Sequence, residues 1–233
     1  MSGNTTLRVF SALAVRAPFD ALEQAFLQQH PHCELTLEWN PTSVIEKKIA
    51  AGAPADAAIL TVPVIERLIE EGVIIADSRV DLVDSRIGLA ILPDAVAPDI
   101  SSLSALKQTL LAARSVAWSL GGASGIYFQT LIERLGIEAE MTSRGTTIPE
   151  GFTASQLLTG KADLALQQIS ELLMVPGVKV IGPLPDEAQK VTAFAGGIFR
   201  AAANPQDAAA LLASLRTPQA RATFESFGLT CRE

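Results

Sequence analysis

The chain has 233 residues, 48% hydrophobic and 18% charged, which suits a folded chain of one large domain or two modest lobes and excludes disorder. Its formal net charge of −7 argues against nucleic acid and anionic membranes as partners. It leaves room for a small anion held by local N–H groups.

Short apolar runs alternate with helical patterns from the start. MSGNTTLRVF carries neither a basic leader segment nor an apolar one before the first strand, so a cytoplasmic location is expected for the chain as written, and a periplasmic one if a signal peptide has been removed. Strands are predicted over 7–13, 33–39, 56–60, 87–92, 115–118, 163–168, 178–182 and 191–200. Between the first two, Phe19, Leu22 and Phe26 mark a helix with Pro18 near its start. Residues 43–50 suggest a second helix, and Val64, Ile65, Leu68 and Ile69 a third, closed by Gly72. Leu103, Leu106 and Leu110 line a fourth, capped near Ser101 or Ser102. Thr153 is a candidate cap for a further helix ending at Gly160. Asn204-Pro205 and Thr217-Pro218 open two terminal helices. The order is βαβ, so a mainly parallel sheet flanked by helices is expected, with ligands beyond the carboxyl ends of the strands. No run reaches about 18 uninterrupted apolar residues, and no membrane insertion is expected.

The segment WSLGGASGIYFQTLIERLG, 118–136, is a strand end, a Gly/Ser loop and a helix start. The free N–H groups of a first helical turn and the helix dipole favour an anion there. It matches no Walker loop, dinucleotide fingerprint or nucleophile elbow: Ile126 and Tyr127 follow Gly125, Gly121 and Gly122 are adjacent, and Ile126 replaces the last elbow glycine. Two readings remain, an anion or polar-ligand cradle and a tight turn of small residues.

Catalytic and metal signatures are sparse. Cys33 and Cys231 are far apart without metal-ligand spacing, and are expected as two reduced thiols rather than a disulfide. His30 and His32 follow the first helix and read as surface loop residues, so neither metal nor cofactor is expected. Ser124 has no histidine within reach on this topology. Tyr127 and Glu46, read as first-turn helical residues, could act as acid and base in an isomerisation; Glu46 could equally complement a helix dipole, and Tyr127 could pack or donate to a ligand.

IAAGAPADAAIL (49–60), SGIYFQTLIERLG (124–136), the opening LRVFSALAV and the closing TPQARATFESFGLT together resemble the molybdate-binding subfamily of type II periplasmic binding proteins. The resemblance covers nearly the whole chain in element order. It implies an α/β fold of two lobes, each a mixed, mainly parallel sheet flanked by helices, joined by two crossover strands near 83–91 and 191–198. Lobe one would be 1–83 plus 193–233 and lobe two 84–192, with a ligand cleft between them and hinge closure on binding. It further implies a small anion as ligand, an organic acid or tetrahedral oxyanion, and an ABC permease as a partner.

Carried over position by position, the polar turn after strand one becomes Ala14-Val15-Arg16, the serine-rich turn after strand two becomes Asn40-Pro41-Thr42-Ser43, and the late tyrosine becomes Gln168. Thr61, Ser124, Gly125, Ile126, Tyr127 and Thr153 complete the candidate ligand set, with Ser124 and the N–H groups of Gly125 and Ile126 as anion donors. Arg16 offers a planar fork for carboxylate or phosphate. Gln168 offers a donor and an acceptor, which a bare oxyanion does not need. A carboxylate-bearing acid is therefore expected over molybdate. Each residue also has an ordinary reading: Arg16 as a solvated residue at a helix start, Gln167 and Gln168 as a solvated strand end, Asn40 and Thr42 as turn formers. A cytosolic enzyme or an intracellular anion sensor on the same fold are the alternatives.

Overall fold

The computed structural model describes residues 5–233. Its elements in chain order are β1 (Thr5–Ser11), α1 (Arg16–Gln29), β2 (Cys33–Trp39), α2 (Thr42–Ala50), β3 (Ala57–Thr61), α3 (Val62–Glu70) and β4 (Val80–Ser85). There follow β5 (Ile87–Ile91), α4 (Leu103–Ala112), β6 (Val116–Ser119), α5 (Ala123–Arg134), α6 (Glu138–Arg144), β7 (Thr146–Ile148), α7 (Ser155–Leu158), β8 (Leu164–Gln168), α8 (Ile169–Leu172) and β9 (Lys179–Pro183). The chain closes with β10 (Thr192–Ile198), α9 (Pro205–Ser214), α10 (Pro218–Ser226) and β11 (Thr230–Cys231). It divides into two compact units, Met1–Asp84 with Thr192–Glu233 and Ser85–Val191.

In unit 1 a six-stranded sheet has the order β11-β4-β10-β3-β1-β2. β1 pairs in parallel with β2 and β3, whereas β10 returns antiparallel to β3 and β11 antiparallel to β4. Alternate side chains of one strand enter different clusters. Leu7, Val9, Ala57 and Ile59 pack with Phe19, Leu212 and Phe224. Phe10, Ala58 and Leu60 pack with Ile45, Ile65 and Ile74. Each large side chain fully withdrawn from water contributes roughly 1.5–3 kcal/mol. A buried carboxylate, Asp56, ties this unit together. It accepts from the Arg8 N–H and the Asn204 N–H, both at 2.8 Å, and so joins β1 to the start of α9.

Unit 2 has a five-stranded sheet, β7-β6-β8-β5-β9. β6 pairs in parallel with β7 and β8, and β5 runs antiparallel to β8 and β9. Leu164, Leu166, Val116 and Trp118 face one cluster with Phe128 and Leu131. Ala165, Ala117 and Ala90 face another with Leu157 and Leu172. Both sheets are more mixed than the βαβ pattern alone predicts, because β5 and β10 run against their neighbours. The short strands β7 and β11 and the helices α6 and α8 also escape the sequence patterns, being too short to show a period.

Ser102 accepts from the Ala105 N–H at 3.1 Å, and Thr217 accepts from the Ala220 N–H at 3.2 Å. Thr153 caps no helix: α7 begins at Ser155, and Thr153 is fully buried against β8 instead. Asn204 precedes α9 without a side-chain cap and donates to the Thr6 carbonyl.

Candidate functional site

The Gly/Ser loop of unit 2 is shaped by close packing on the end of β6. A Cβ at Gly125 would lie 1.6 Å from the Ser119 carbonyl oxygen, and one at Gly122 would lie 2.6 Å from Ser119 Oγ. Glycine is required at 125 because α5 starts directly on the strand end, whereas a side chain at 122 would displace the Ser119 hydroxyl. Ser119 is 2% exposed, and its hydroxyl has no hydrogen-bond partner among the described residues. An unpartnered buried hydroxyl under the first turn of a twelve-residue helix fits an acceptor ligand. Ser124 is buried in that same turn. One expected donor is lost, because the Ile126 N–H is spent on the Gly122 carbonyl at 3.0 Å.

The neighbouring strand end supplies amides and a carboxyl. β6 and β8 pair with Val116 beside Leu164 and Ala117 beside Ala165, so Ser119 ends β6 next to the strand that ends in Gln167 and Gln168. Gln167 is committed internally: its Oε1 accepts from the Thr153 N–H at 2.8 Å and from Thr153 Oγ1 at 3.1 Å, and its Nε2 donates to the Gly151 carbonyl at 2.8 Å. Thr153 is therefore a support for the loop before α7. Gln168 behaves differently. Its Oε1 accepts from Ser85 Oγ at 2.7 Å, while its buried Nε2 has no partner among the described residues. The Ser85 bond uses the acceptor and leaves the donor. Gln168 thus keeps a buried NH2 group whose two N–H donors have no partner among the described residues, while its oxygen is engaged by Ser85.

Glu171, unremarked in the sequence, lies three residues beyond Gln168 in α8. It is 8% exposed and accepts from the Gln168 N–H at 3.3 Å. Burial pushes its carboxyl up to about 8 from an ordinary 4.5, against the opposing pull of the Gln168 N–H and the Gln167 side chain. The one sequence signal was an acidic residue at the third position after a strand end, an N-terminal helix signature.

The proposed acid and base of the sequence reading are engaged elsewhere. Tyr127 lies in the second turn of α5, donates to the Ala188 carbonyl at 3.0 Å, and packs under Lys190. Glu46 lies in the second turn of α2 and is ion-paired to Arg67 of α3.

In unit 1 the candidate residues sit at the carboxyl ends of the adjacent strands β3, β1 and β2. Arg16 opens α1, with its Nε 3.6 Å from the Asp20 carboxylate and its guanidinium 6.0 Å from the centre of the Trp39 ring. The Asn40 N–H donates to the Ser11 carbonyl at 3.1 Å, holding the turn after β2 against the end of β1. Thr42 and Ser43 open α2, and Thr61 precedes α3 without capping it. All four hydroxyl and amide residues are half-buried.

The histidines are not the separate surface residues expected. His30 and His32 come together with Asp207, their ligand atoms within 4.8 Å of one another. The turn His30-Pro31-His32 carried no recognisable metal spacing because the third group lies 175 residues beyond His32. Both cysteines are free. Among the described residues no helix is long and apolar enough to cross a membrane.

Comparison with known proteins agrees with this architecture. The model of the bacterial extracellular solute-binding protein family matches residues 7–230. An aconitate isomerase from a Pseudomonas species is 37% identical over 186 residues, which cover 79% of this chain and 71% of that protein. The periplasmic molybdate-binding protein of Azotobacter vinelandii superposes with a TM-score of 0.78 at 18% identity, covering 97% of this chain and all of that one. The substrate-binding domain of a molybdenum ABC transporter protein from Clostridium difficile gives 0.70 at 17% identity over 98% and 99% of the two chains. The sheet order, the glycine-packed helix start and these matches together place the chain in the bacterial extracellular solute-binding protein family, with the molybdate-binding-like type II periplasmic binding protein fold.

Proposed function

We propose that the protein binds a small polycarboxylate, an unsaturated tricarboxylic acid of the aconitate type, and interconverts its double-bond isomers by proton transfer. The observation that carries this reading is the 37% identity with an aconitate isomerase across most of the chain. The donor set of unit 2 supports it. Ser119 Oγ and Gln168 Nε2 are buried hydrogen-bonding groups left over by the protein, and Ser124 adds a hydroxyl at the α5 start. Together they suit the oxygens of a ligand carboxylate. In unit 1, Arg16 is proposed as a cation for a carboxylate.

The chemistry asks little of the protein beyond one proton carrier. A base removes a proton from the methylene carbon that is allylic to the double bond. The electron pair spreads over three carbons and the attached carboxylates. The proton then returns at the far end of that allyl system, so the double bond moves and its geometry can invert. One proton leaves and one returns, and the ligand's composition is unchanged. Glu171 is our assignment for the carrier, since a carboxyl with its midpoint near 8 can both take and give a proton near neutral pH.

The test is to incubate the purified protein with either aconitate isomer and follow its partner by proton NMR. Appearance of the other isomer, lost in Glu171→Gln while ligand-induced thermal stabilisation persists, supports the reading. If molybdate, tungstate, sulfate or phosphate stabilises the protein and carboxylates do not, the ligand class is wrong.

A second reading rests on the family match over residues 7–230. In it the protein carries a carboxylate to an ABC permease without altering it. Stabilisation by a polycarboxylate with no isomer formed selects this reading.

A further inference from the structure

The group of His30, His32 and Asp207 lies in unit 1 and includes none of the proposed carboxylate-binding residues. His30 ends α1, His32 follows it across Pro31, and Asp207 sits in the first turn of α9. His32 Nε2 is 3.1 Å from Asp207 Oδ1. One ligand atom from each of the three residues lies within 4.8 Å of the other two.

The turn that carries the two imidazoles is held in place. The Cys33 N–H donates to the His30 carbonyl at 2.9 Å and closes it, while the Thr5 N–H donates to the His32 carbonyl at 2.7 Å and ties it to β1. Pro31 fixes one further backbone angle. The His30 ring stacks on Phe26 with centroids 4.4 Å apart. Behind Asp207, the buried Cys33 thiol hydrogen-bonds to the carboxylate. Such a contact orients a carboxylate as outer partners of metal ligands do.

We propose that His30, His32 and Asp207 form a binding site for a first-row divalent cation, zinc foremost. Two imidazoles and a carboxylate are a borderline donor set that suits zinc, copper, nickel or cobalt, not magnesium or calcium. Ligand atoms about 2.1 Å from a tetrahedral ion stand roughly 3.4 Å from each other. The His32–Asp207 pair already meets that spacing, and the half-buried side chains need only small rotations to complete it. A fourth position remains for water. The bound ion would join the α1–β2 turn to the start of α9, linking segments 175 residues apart. This site stands independently of the carboxylate reading.

The test uses the full chain without a histidine tag. Zinc chloride is titrated by calorimetry into the wild type and into His30→Gln, His32→Gln and Asp207→Asn, each first checked for native circular dichroism. The expected result is one zinc per chain, with affinity weakened at least about tenfold in each variant. Excess zinc should raise the wild-type unfolding midpoint by about 5 °C, an increase absent from the variants. Cobalt in place of zinc should give the visible absorption of a four-coordinate site. No zinc binding to the wild type, or equal binding in wild type and variants, overturns the proposal. His30→Gln alone decides the matter if Asp207→Asn fails to fold, because it keeps the backbone bonds of the turn and replaces only a half-buried ring.

Discussion

Replacing Glu171 by glutamine should flatten the pH dependence of stability in a direction fixed by its burial. The folded carboxyl holds its proton up to about 8, whereas the unfolded one releases it near 4.5. Across that window the native state binds more protons than the unfolded state, so stability falls as pH rises. The contribution is fully present below about 4.5 and lost as pH rises through about 8. Each pH unit inside the window is worth about 1.4 kcal/mol, so a span from about pH 5 to pH 7.5 is worth about 3 kcal/mol. Glutamine keeps an acceptor for the Gln168 N–H and does not titrate. The stability of Glu171→Gln relative to wild type should therefore rise by about 3 kcal/mol between those two pH values. Urea unfolding of both proteins at half-unit intervals measures it, and taking the difference cancels every other titrating group. A difference flat with pH would refute the reasoning: the carboxylate would then be ionised in the folded protein, and its candidacy as a proton carrier would fall with it.

Further predictions concern the donors and the frame. Ser124→Ala should weaken polycarboxylate binding about tenfold by removing one charge-assisted hydrogen bond, measured by calorimetry. Gln168→Glu replaces an unpartnered donor by an acceptor and should cost at least tenfold with the circular dichroism unchanged; undiminished affinity would show that Nε2 meets no ligand. Arg16→Ala should abolish carboxylate binding, and retained binding would leave the guanidinium to its contacts with Asp20 and Trp39. Asp56→Ala strands the Arg8 and Asn204 N–H groups and should destabilise unit 1 by about 3 kcal/mol in urea unfolding.

The amino-acid sequence by itself determined the α/β class and the main elements. Periods of two and of about three and a half residues are local properties, and Leu7, Val9, Ile59 and Leu166 declare their strands through them. The Gly121–Gly125 run likewise announced a strand end meeting a helix start. Tertiary structure decided which polar groups there are available. Gln167 and Gln168 are identical neighbours in sequence, yet Thr153 and Gly151 consume one of them and Ser85 engages only the oxygen of the other, leaving its NH2 group unpartnered among the described residues. The Ile126 N–H was lost to a helical bond and the Tyr127 hydroxyl to Ala188. Only the fold could bring Asp207 to His30 and His32, or bury Glu171 deeply enough to hold its proton. Availability and protonation of a group depend on what surrounds it in space, and those neighbours come from segments that local pattern cannot join.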